Sequence, residues 1–376
     1  MKKFDLVIIG SGPSGSMAAQ LAASKKLSVA IIEKAILPRY KTCGGGLVFR
    51  GRNRISLNIS ETIEKEFKEI DVYFENTNLH FRSQRDVPII SLVMRDKFDA
   101  LLTQKAIKEG VTMFENTCLK NINFEKEITL TTSRGEIKTE YVIGADGALS
   151  PTAKLGGWKE TRRLIPALEY EIKVSTQDWE RLSKNVRFDV DAVPFGYAWC
   201  FPKANHLSIG VCSFKKQRID LKYYYKKYLD SLGIREIGEE NAHGFQIPIT
   251  PRTDGFVKNN LFLVGDAAGF ADPLTAEGIS NALFSGQLAA KAISQYFGKP
   301  KLAAAFYEQD LKEKLLPELK TSGLLSWIFY SQPKFRNLLI QRYGQRGCEI
   351  LTDIFLGKQP FPKDIKKKLL QTLPLP

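Results

Sequence analysis

The fold is decided by residues 4–33, which begin Phe4-Asp-Leu-Val-Ile-Ile-Gly10-Ser-Gly-Pro-Ser-Gly15 and end Leu27-Ser-Val-Ala-Ile-Ile-Glu33. The run from Phe4 to Gly10 has the length and the β-branched content of a buried parallel strand. The small residues of Ser16–Ser24 are typical of a closely packed helix, and a second apolar run follows them. This order of strand, glycine turn, helix, strand and acid predicts a βαβ unit.

Each glycine of the turn has its own task in such a unit. Gly10 permits the tight turn, Gly12 lets a pyrophosphate approach the backbone, and Gly15 lets helix and strand pack closely. The helix N-terminus directs unpaired N–H groups at the phosphates. Glu33 lies 18 residues after Gly15, about where a carboxylate meets a ribose hydroxyl. We therefore predict dinucleotide binding by a set of residues in this unit: Gly10, Gly12, Pro13, Ser14, Gly15, Glu33 and Lys34.

The composition is that of a soluble protein with two or three domains. The chain has 376 residues, 43% of them hydrophobic and 26% charged, and contains no apolar stretch of about 20 residues that would span a membrane. The five cysteines form no CxxC pair and the three histidines are isolated, so we expect neither a metal site nor a disulfide framework. We expect a cytoplasmic location.

The net charge is +14, and about half of this excess lies after Lys299. Such a field attracts nucleic acid, an anionic lipid surface or an anionic substrate, but a solvated basic face is an equal explanation. No nucleic-acid-binding motif accompanies the charge, so we expect no nucleic-acid partner. The segment Leu324–Tyr330 is apolar and aromatic and precedes Lys334 and Arg336, which suits a lid over a lipid, an interfacial helix at a membrane, or a simple cover for the neighbouring domain.

After Glu33, residues 34–46 are predicted to form a loop that ends in three glycines, where a flat ligand or a phosphate can lie against the backbone. The elements predicted next are a surface helix over residues 50–70, strands over 72–81 and 87–93, a helix from Arg95 to Glu109, a β-meander over 111–132 and a strand over 141–143.

Short strands then predominate over residues 161–214, with candidates at Leu164–Val174, Val186–Val190, Tyr197–Phe201 and Leu207–Cys212. The nucleotide fold returns with a strand at Leu261–Val264 and a helix over Gly278–Tyr296. The fold class is therefore α/β, with a Rossmann-like parallel sheet and a β-meander, a β-rich substrate domain and a helical end. The predicted domains are 1–158 with 250–300, 159–249, and a basic region over 301–376.

Three aromatic residues alternate along one predicted strand. Tyr197, Trp199 and Phe201 are two apart, so their rings lie on the same face of the sheet. They suit either the wall of an apolar substrate slot or the core of the β-rich layer.

Three motifs in order resemble flavoproteins of the aromatic-hydroxylase superfamily: Gly10–Gly15 with Glu33, Gly144–Gly147, and Gly265–Gly278. The resemblance covers nearly the whole chain and implies an FAD cofactor. In that superfamily the Gly-Asp of the third motif holds the ribityl and pyrophosphate groups, the helix after it points at the flavin, and the Asp-Gly of the second motif shapes the nucleotide end. The resemblance thus adds FAD contacts at Arg95, Asp146, Gly147, Gly265, Asp266, Gly278 and Ile279.

Within the superfamily the chain resembles the geranylgeranyl reductase family. The loop Lys41-Thr-Cys43-Gly44-Gly45-Gly46 is similar to that family's cysteine–glycine loop, and Tyr197-Ala-Trp199-Cys-Phe201-Pro202 followed by Gly210 is similar to its substrate-cavity signature. The signature there closes with Gly-x-Gly, whereas this chain has Gly210-Val-Cys212. The resemblance implies substrate contacts at Tyr197, Trp199, Phe201, Pro202 and Gly210, flavin contacts at Cys43, Gly44 and Gly45, and a catalytic part for Cys43.

The function implied is an FAD-dependent reductase that saturates C=C bonds of a prenyl group on a diphosphate, lipid or quinone. NAD(P)H or a ferredoxin-like donor would reduce the FAD, and a nicotinamide would bind transiently because no second GxGxxG is present. The alternatives are a flavin monooxygenase or halogenase on the same scaffold, and a flavin- or lipid-binding protein without turnover. We expect a prenylated partner and contact with a membrane surface through the basic end; the sequence sets no oligomeric state.

Overall fold

The computed structural model describes residues 2–125, 127–215 and 218–362. Its strands, in chain order, are β1 (Lys2–Ile9), β2 (Val29–Ile32), β3 (Gly46–Val48), β4 (Ile63–Phe67), β5 (Glu69–Phe74), β6 (Leu79–Gln84), β7 (Ile90–Val93), β8 (Thr112–Phe114), β9 (Leu119–Phe124), β10 (Ile128–Thr132), β11 (Gly135–Gly144), β12 (Leu164–Val174), β13 (Val186–Val190), β14 (Gly196–Pro202), β15 (Leu207–Ser213), β16 (Ile237–Pro248), β17 (Val257–Lys258) and β18 (Leu261–Leu263). Its α-helices are α1 (Pro13–Ser24), α2 (Phe49–Arg52), α3 (Arg95–Lys108), α4 (Pro151–Leu155), α5 (Thr176–Leu182), α6 (Leu221–Ser231), α7 (Gly265–Ala268), α8 (Ile279–Gln295), α9 (Pro300–Lys314), α10 (Leu316–Ser331) and α11 (Pro333–Leu356).

The first sheet is the predicted nucleotide-binding sheet, with strand order β17-β18-β11-β1-β2-β8. β1 pairs in parallel with β11 on one side and with β2 on the other, and β9 and β10 extend β11 as an antiparallel meander. Leu6, Val7 and Ile8 point to alternate faces and are all completely buried, so both faces of the sheet are covered. The α/β fold class is confirmed.

The second sheet has the order β16-β12-β15-β14-β13-β5-β6, with a parallel pair only between β13 and β5 among its described strands. The strands predicted between residues 164 and 212 are confirmed. β5 and β6 join them from residues 69–84, a range that we expected in the nucleotide-binding domain. The sheet is thus built from two separate parts of the chain, and the predicted domain boundaries stay a prediction.

Two predictions near the N-terminal half are wrong. Of the surface helix predicted over residues 50–70, only the short α2 (Phe49–Arg52) begins the range. The later part instead forms β4, which pairs with β7 and buries Phe67, and this pairing overrides the helix propensity of the Glu and Lys residues. The strand over 72–81 is instead a hairpin of β5 and β6, which turns at Asn78 with a φ of +52°.

The C-terminal region is helical where the structure describes it, as expected. Tyr307 and Leu311 of α9 pack on the first sheet, whereas Tyr330 of α10 and Ile354 of α11 pack on the second. The last part of the predicted region, 363–376, lies outside the described residues. Within the described ranges, no helix combines the length and the apolar content needed to cross a bilayer.

Substitution of Gly286 by Ala should destabilise the chain by about 1–3 kcal/mol or more, because a Cβ there would lie 2.2 Å from the backbone oxygen of Ser14, where α8 crosses α1. Gly347 in α11 is the control: it is exposed, and a Cβ would meet nothing within 4 Å, so Gly347→Ala should stabilise by roughly 0.5–1 kcal/mol. Urea denaturation checks both variants, and equal effects would contradict the packing described.

Candidate active site

The glycine turn between β1 and α1 forms an open cradle for an anion. Gly10 has a φ of +102°, and a Cβ there would lie 2.5 Å from the Ala145 backbone oxygen. At Gly15 a Cβ would lie 2.0 Å from the Gly10 backbone oxygen, so Gly15 serves helix packing. A Cβ at Gly12 would meet only Arg95, at 4.0 Å. Gly12 thus leaves open the backbone at the N-terminus of a 12-residue helix, which fits a pyrophosphate.

Glu33 follows β2 and its carboxylate is fixed beside this turn. Its Oε2 accepts hydrogen bonds from the backbone N–H of Ser11 (3.0 Å) and from the Ser11 hydroxyl (2.8 Å), and its Oε1 accepts one from the N–H of Ala35 (3.1 Å). The side chain lines a large cavity, with Lys34 next to it. The placement suits a contact with a ribose hydroxyl.

A single cavity of about 680 Å³ runs from the glycine turn to the aromatic face of the second sheet. It brings together most of the residues predicted from the sequence: Gly10, Gly12, Pro13, Ser14, Glu33, Lys34, Cys43, Gly44, Gly45, Arg95, Asp146, Gly147, Tyr197, Trp199, Phe201, Asp266, Gly278 and Ile279. A volume of this size is in the range of sites for large ligands.

Four predicted residues do not line the cavity but shape its walls or their surroundings. Gly15 packs against Gly10, and Gly265, with a φ of +53°, would place a Cβ 3.0 Å from the Ser14 hydroxyl. Gly210 lies beneath the Trp199 ring, where a Cβ would come within 1.9 Å of the indole. Pro202 is buried at the end of β14.

Arg95 opens α3 and is held rigidly in the cavity wall. Its Nε and Nη2 donate to the two oxygens of Asp99 (2.8 and 2.9 Å), and Arg39 donates to the same carboxylate (2.8 Å). Asp99 is completely buried. Burial opposes the positive charge of Arg95, but the pKa of Arg95 is raised because Asp99 and Cys43 lie beside it. Arg39, which also lines the cavity, was not among the site residues predicted from the sequence.

The two aspartates of the Asp-Gly and Gly-Asp motifs have different surroundings. The Asp146 carboxylate accepts hydrogen bonds from the Ser150 hydroxyl (2.6 Å) and the Thr152 N–H (2.8 Å) at the start of α4, and burial raises its pKa. These bonds fix the loop in which Asp146 lines the cavity, and its contact with the cofactor stays a prediction. Asp266 lies near Gly278, the residue before the 17-residue helix α8, so a carboxylate and a second helix N-terminus share this side of the cavity.

The aromatic residues of β14 form one wall. The ring centroids of Tyr197 and Trp199 are 6.1 Å apart, and those of Trp199 and Phe201 are 6.2 Å apart. The Cys43–Gly46 loop lies directly on this wall, since a Cβ at Gly44 would be 2.9 Å from the Trp199 Nε1. The rings are therefore both packed and cavity-lining, and together with the loop they make a narrow apolar region.

Two buried glutamates beside this wall were missed by the sequence reasoning, and Glu169 lines the cavity. Glu169 and Glu171 of β12 are 1% and 9% exposed. The Ser208 hydroxyl donates to Glu169 Oε1 (3.1 Å), and His206 Nε2 lies 2.9 Å from Glu171 Oε2. Burial and the neighbouring Glu171 raise the pKa of Glu169 to about 8. Burial also opposes the charge on Glu171, but His206 and Lys203 lower its pKa.

Lys203 completes this polar cluster. It is completely buried, and its Nζ donates to the backbone oxygens of Gly44 (2.7 Å) and Val93 (3.0 Å), so it fastens the glycine loop to the aromatic strand. Burial lowers its pKa. The sequence signal for the cluster was a pair of glutamates two residues apart in an otherwise apolar strand, facing the same side.

The comparisons with known proteins agree with this geometry. Residues 5–317 match the family model described as lycopene cyclase protein. An uncharacterized protein of Methanosarcina barkeri is 30% identical over 347 residues, which cover 91% of this chain and 88% of that protein. Digeranylgeranylglycerophospholipid reductase 3 of Methanosphaera stadtmanae is 29% identical over 338 residues, covering 85% of this chain and 82% of that protein.

Solved structures share the fold over nearly the whole chain. A geranylgeranyl bacteriochlorophyll reductase-like protein from Thermoplasma acidophilum has a TM-score of 0.79 at 22% identity, covering 98% of this chain and 96% of that one. A flavin-dependent brominase has a TM-score of 0.75 at 19% identity, covering 98% of both chains. The expected resemblance to flavoproteins and to geranylgeranyl reductases is confirmed.

A Gly12→Val variant should fold normally but lose its flavin. The φ of Gly12 is −72°, which any residue adopts, and the surrounding protein leaves room for a side chain; the new methyl groups would instead fill the anion cradle. The ratio of absorbance at 450 nm to that at 280 nm should fall at least tenfold, with an unfolding midpoint in urea, measured without added FAD, close to that of the FAD-free parent. Gly10→Val is the matched comparison and should lose stability as well. Normal flavin content in the Gly12 variant would contradict the assignment.

Proposed function

The chain belongs to the lycopene cyclase protein family, and we propose that it is an FAD-dependent reductase that saturates C=C bonds of a geranylgeranyl-type prenyl group on a diphosphate, lipid or quinone. The observation that carries the proposal is the single cavity, which has a dinucleotide cradle at one end and an apolar aromatic wall at the other. A cofactor and an apolar chain can therefore meet inside it.

The residues present fit FAD. Gly12 and the N-terminus of α1 would hold the pyrophosphate, and Glu33 the ribose of the adenosine part. Arg95 and Asp266 would hold the ribityl region. The Cys43–Gly45 loop and the N-terminus of α8 would border the flavin ring. A reduced flavin supplies a hydride.

The aromatic wall would hold the prenyl chain and keep water out. Rings of this kind bury about 150–250 Å² each, and Tyr197, Trp199 and Phe201 are no more than 8% exposed. Tyr197 is fixed by a hydrogen bond that its hydroxyl donates to the Thr275 backbone oxygen (2.7 Å), so the wall is preformed. A preformed apolar slot orients a flexible chain at low entropic cost.

Cys43 lines the cavity in the loop that would border the flavin. Its Sγ accepts a hydrogen bond from the Gly45 N–H (3.4 Å) and neighbours Arg95. We propose that it positions the flavin or the alkene. NAD(P)H or a ferredoxin-like protein is the proposed electron donor.

Contact with a membrane surface is proposed for α10 and α11. Trp327 and Leu338 are each 55% exposed, and the basic residues Lys334, Arg342 and Arg346 of α11 are exposed as well. Arg336 is not part of this surface, because it is buried and donates to both oxygens of Asp191 (2.8 and 2.6 Å). If Trp327 and Leu338 insert into a membrane surface, the protein would be held next to the prenylated lipids of that membrane.

Anaerobic turnover tests the proposed function. The purified holoprotein, reduced with dithionite, should reoxidise its flavin when geranylgeranyl diphosphate, a digeranylgeranyl glycerolipid or a prenyl quinone is added. Mass spectrometry should show one product heavier by two hydrogens per bond reduced. Reduced flavin that ignores all three prenyl substrates, but gives a hydroxylated or halogenated product with oxygen, would favour the monooxygenase or halogenase alternative. Binding of flavin and lipid without turnover would favour the non-catalytic one.

A Gly210→Val variant should lose prenyl turnover while it keeps FAD. The new side chain must displace the Trp199 ring, which lies within 1.9 Å of the Cβ position, so we expect kcat/KM for the prenyl substrate to fall about tenfold or more, or roughly 1.4 kcal/mol. Gly244→Val on β16 is the matched control, since its Cβ would meet the nearest atom at 3.7 Å. Equal kinetics of the two variants would contradict a substrate-binding role for the aromatic wall.

A further inference from the structure

We propose that Glu169 is the general acid of this site and gives the proton that alkene reduction requires. The proposal rests on the proposed reductase function and assigns a residue that the sequence motifs do not include. Saturation of one C=C bond consumes one hydride and one proton. The alkene receives the hydride on one carbon from the reduced flavin, which is thereby oxidised by two electrons. The O–H bond of Glu169 breaks as a C–H bond forms on the other carbon. The carboxylate left behind regains a proton from solvent.

The strand register puts Glu169 next to the aromatic wall. Glu169 on β12 pairs with Gly210 on β15, and Gly210 pairs with Trp199 on β14. Directly paired residues share a face of the sheet, and because Gly210 has no side chain, the Trp199 ring extends over it. Glu169 therefore lies on the far side of that ring and lines the same cavity.

One oxygen of Glu169 accepts no hydrogen bond from the protein. Oε1 accepts from the Ser208 hydroxyl, whereas Oε2 is buried and no donor reaches it among the residues that the structure describes. Within the same residues, the Oε2 of Glu171 is likewise without an aligned donor, and the two carboxyl groups share a hydrogen bond when Glu169 carries a proton. The Nε1 of Trp199 is orphaned in the same way. Buried polar atoms without a partner are costly and point to a ligand or water at that place.

Burial and the charges around Glu169 keep it protonated near neutral pH. His243 on β16 pairs directly with Glu169, and the other titratable groups that face it or its neighbours are Glu171, Lys203, His206, Tyr40, Cys43 and Glu64. Lys203 and His206 stabilise the negative charge on Glu171, and one carboxylate beside another disfavours a second charge. Burial is the largest cause, and together with the charge on Glu171 it raises the pKa of Glu169 to about 8. His206, at the outer side of Glu171, gives a route by which the proton can return.

Two other groups in the wall are weaker donors. The Tyr197 hydroxyl already donates to the Thr275 backbone oxygen. Cys43 lies in the glycine loop, where its Sγ accepts a hydrogen bond from the Gly45 N–H. A Cys43 variant therefore serves as the comparison for the Glu169 variant.

The test is Glu169→Gln, which keeps the shape and neutrality of the side chain but cannot give up a proton. The holoenzyme variant should retain its FAD and its absorbance change on binding geranylgeranyl diphosphate, while turnover falls about 100-fold or more. The Cys43→Ser variant should lose less turnover than Glu169→Gln. Wild-type kcat should decline above about pH 8, and Glu171→Gln should move this decline to lower pH, because a neighbouring negative charge is removed.

The thermal unfolding of wild type and of Glu169→Gln, measured across pH, gives a readout independent of activity. Between the ordinary pKa of a glutamate, about 4.3, and about 8, the unfolded wild type has lost this proton and the folded one keeps it. Wild type should therefore lose stability relative to Glu169→Gln as pH rises through this window, and not beyond it. A constant difference, or normal turnover by Glu169→Gln, would overturn the role of Glu169 alone. No turnover by wild type would overturn the proposed function and with it this proposal.

Discussion

The contact on which the site depends is that of the Gly44–Gly46 backbone with Trp199 and Phe201. This contact forms part of the cavity wall, and it is possible only because the loop has no side chains there. The loop is fastened from beneath by Lys203, whose ammonium group is completely buried. A buried ammonium group needs a counter-charge, which Glu171 provides, and the charge on Glu171 in turn keeps Glu169 neutral. Loop position and acid–base chemistry are therefore linked through one lysine.

The cavity combines two environments that a hydride transfer to an alkene requires. At the β1–α1 end, helix N-termini and fixed charges suit the phosphates and sugars of a dinucleotide. At the β14 end, packed rings suit an apolar chain. The polar cluster around Glu169 lies at the edge of the apolar part, where burial makes a carboxyl group hold its proton at neutral pH. Orphaned polar atoms in that wall cost stability, which is typical of sites shaped for a ligand rather than for packing.

Much of the fold and of the cofactor cradle could be predicted from local sequence. The apolar run before Gly10, the glycine turn and Glu33 together indicate a βαβ unit within about thirty residues. The short strands β12–β15 are predicted from local sequence in the same way. The helix predicted over residues 50–70 was wrong because the strand that pairs with this segment, β7, lies further along the chain, and the pairing overrides local helix propensity. Glu169 and Lys203 were missed for a similar reason: their meaning depends on Gly44 and Trp199, which only the tertiary structure brings beside them. Arg336 looked like a surface charge, since nothing local announces its partner Asp191.

The most direct test of this account is a crystal structure of the protein with FAD and a geranylgeranyl ligand. The account predicts that both occupy the one cavity, with the pyrophosphate at Gly12 and the N-terminus of α1, and the prenyl chain against Tyr197, Trp199 and Phe201. A prenyl chain bound elsewhere, with FAD alone in the cavity and the aromatic residues packed only against protein, would contradict it.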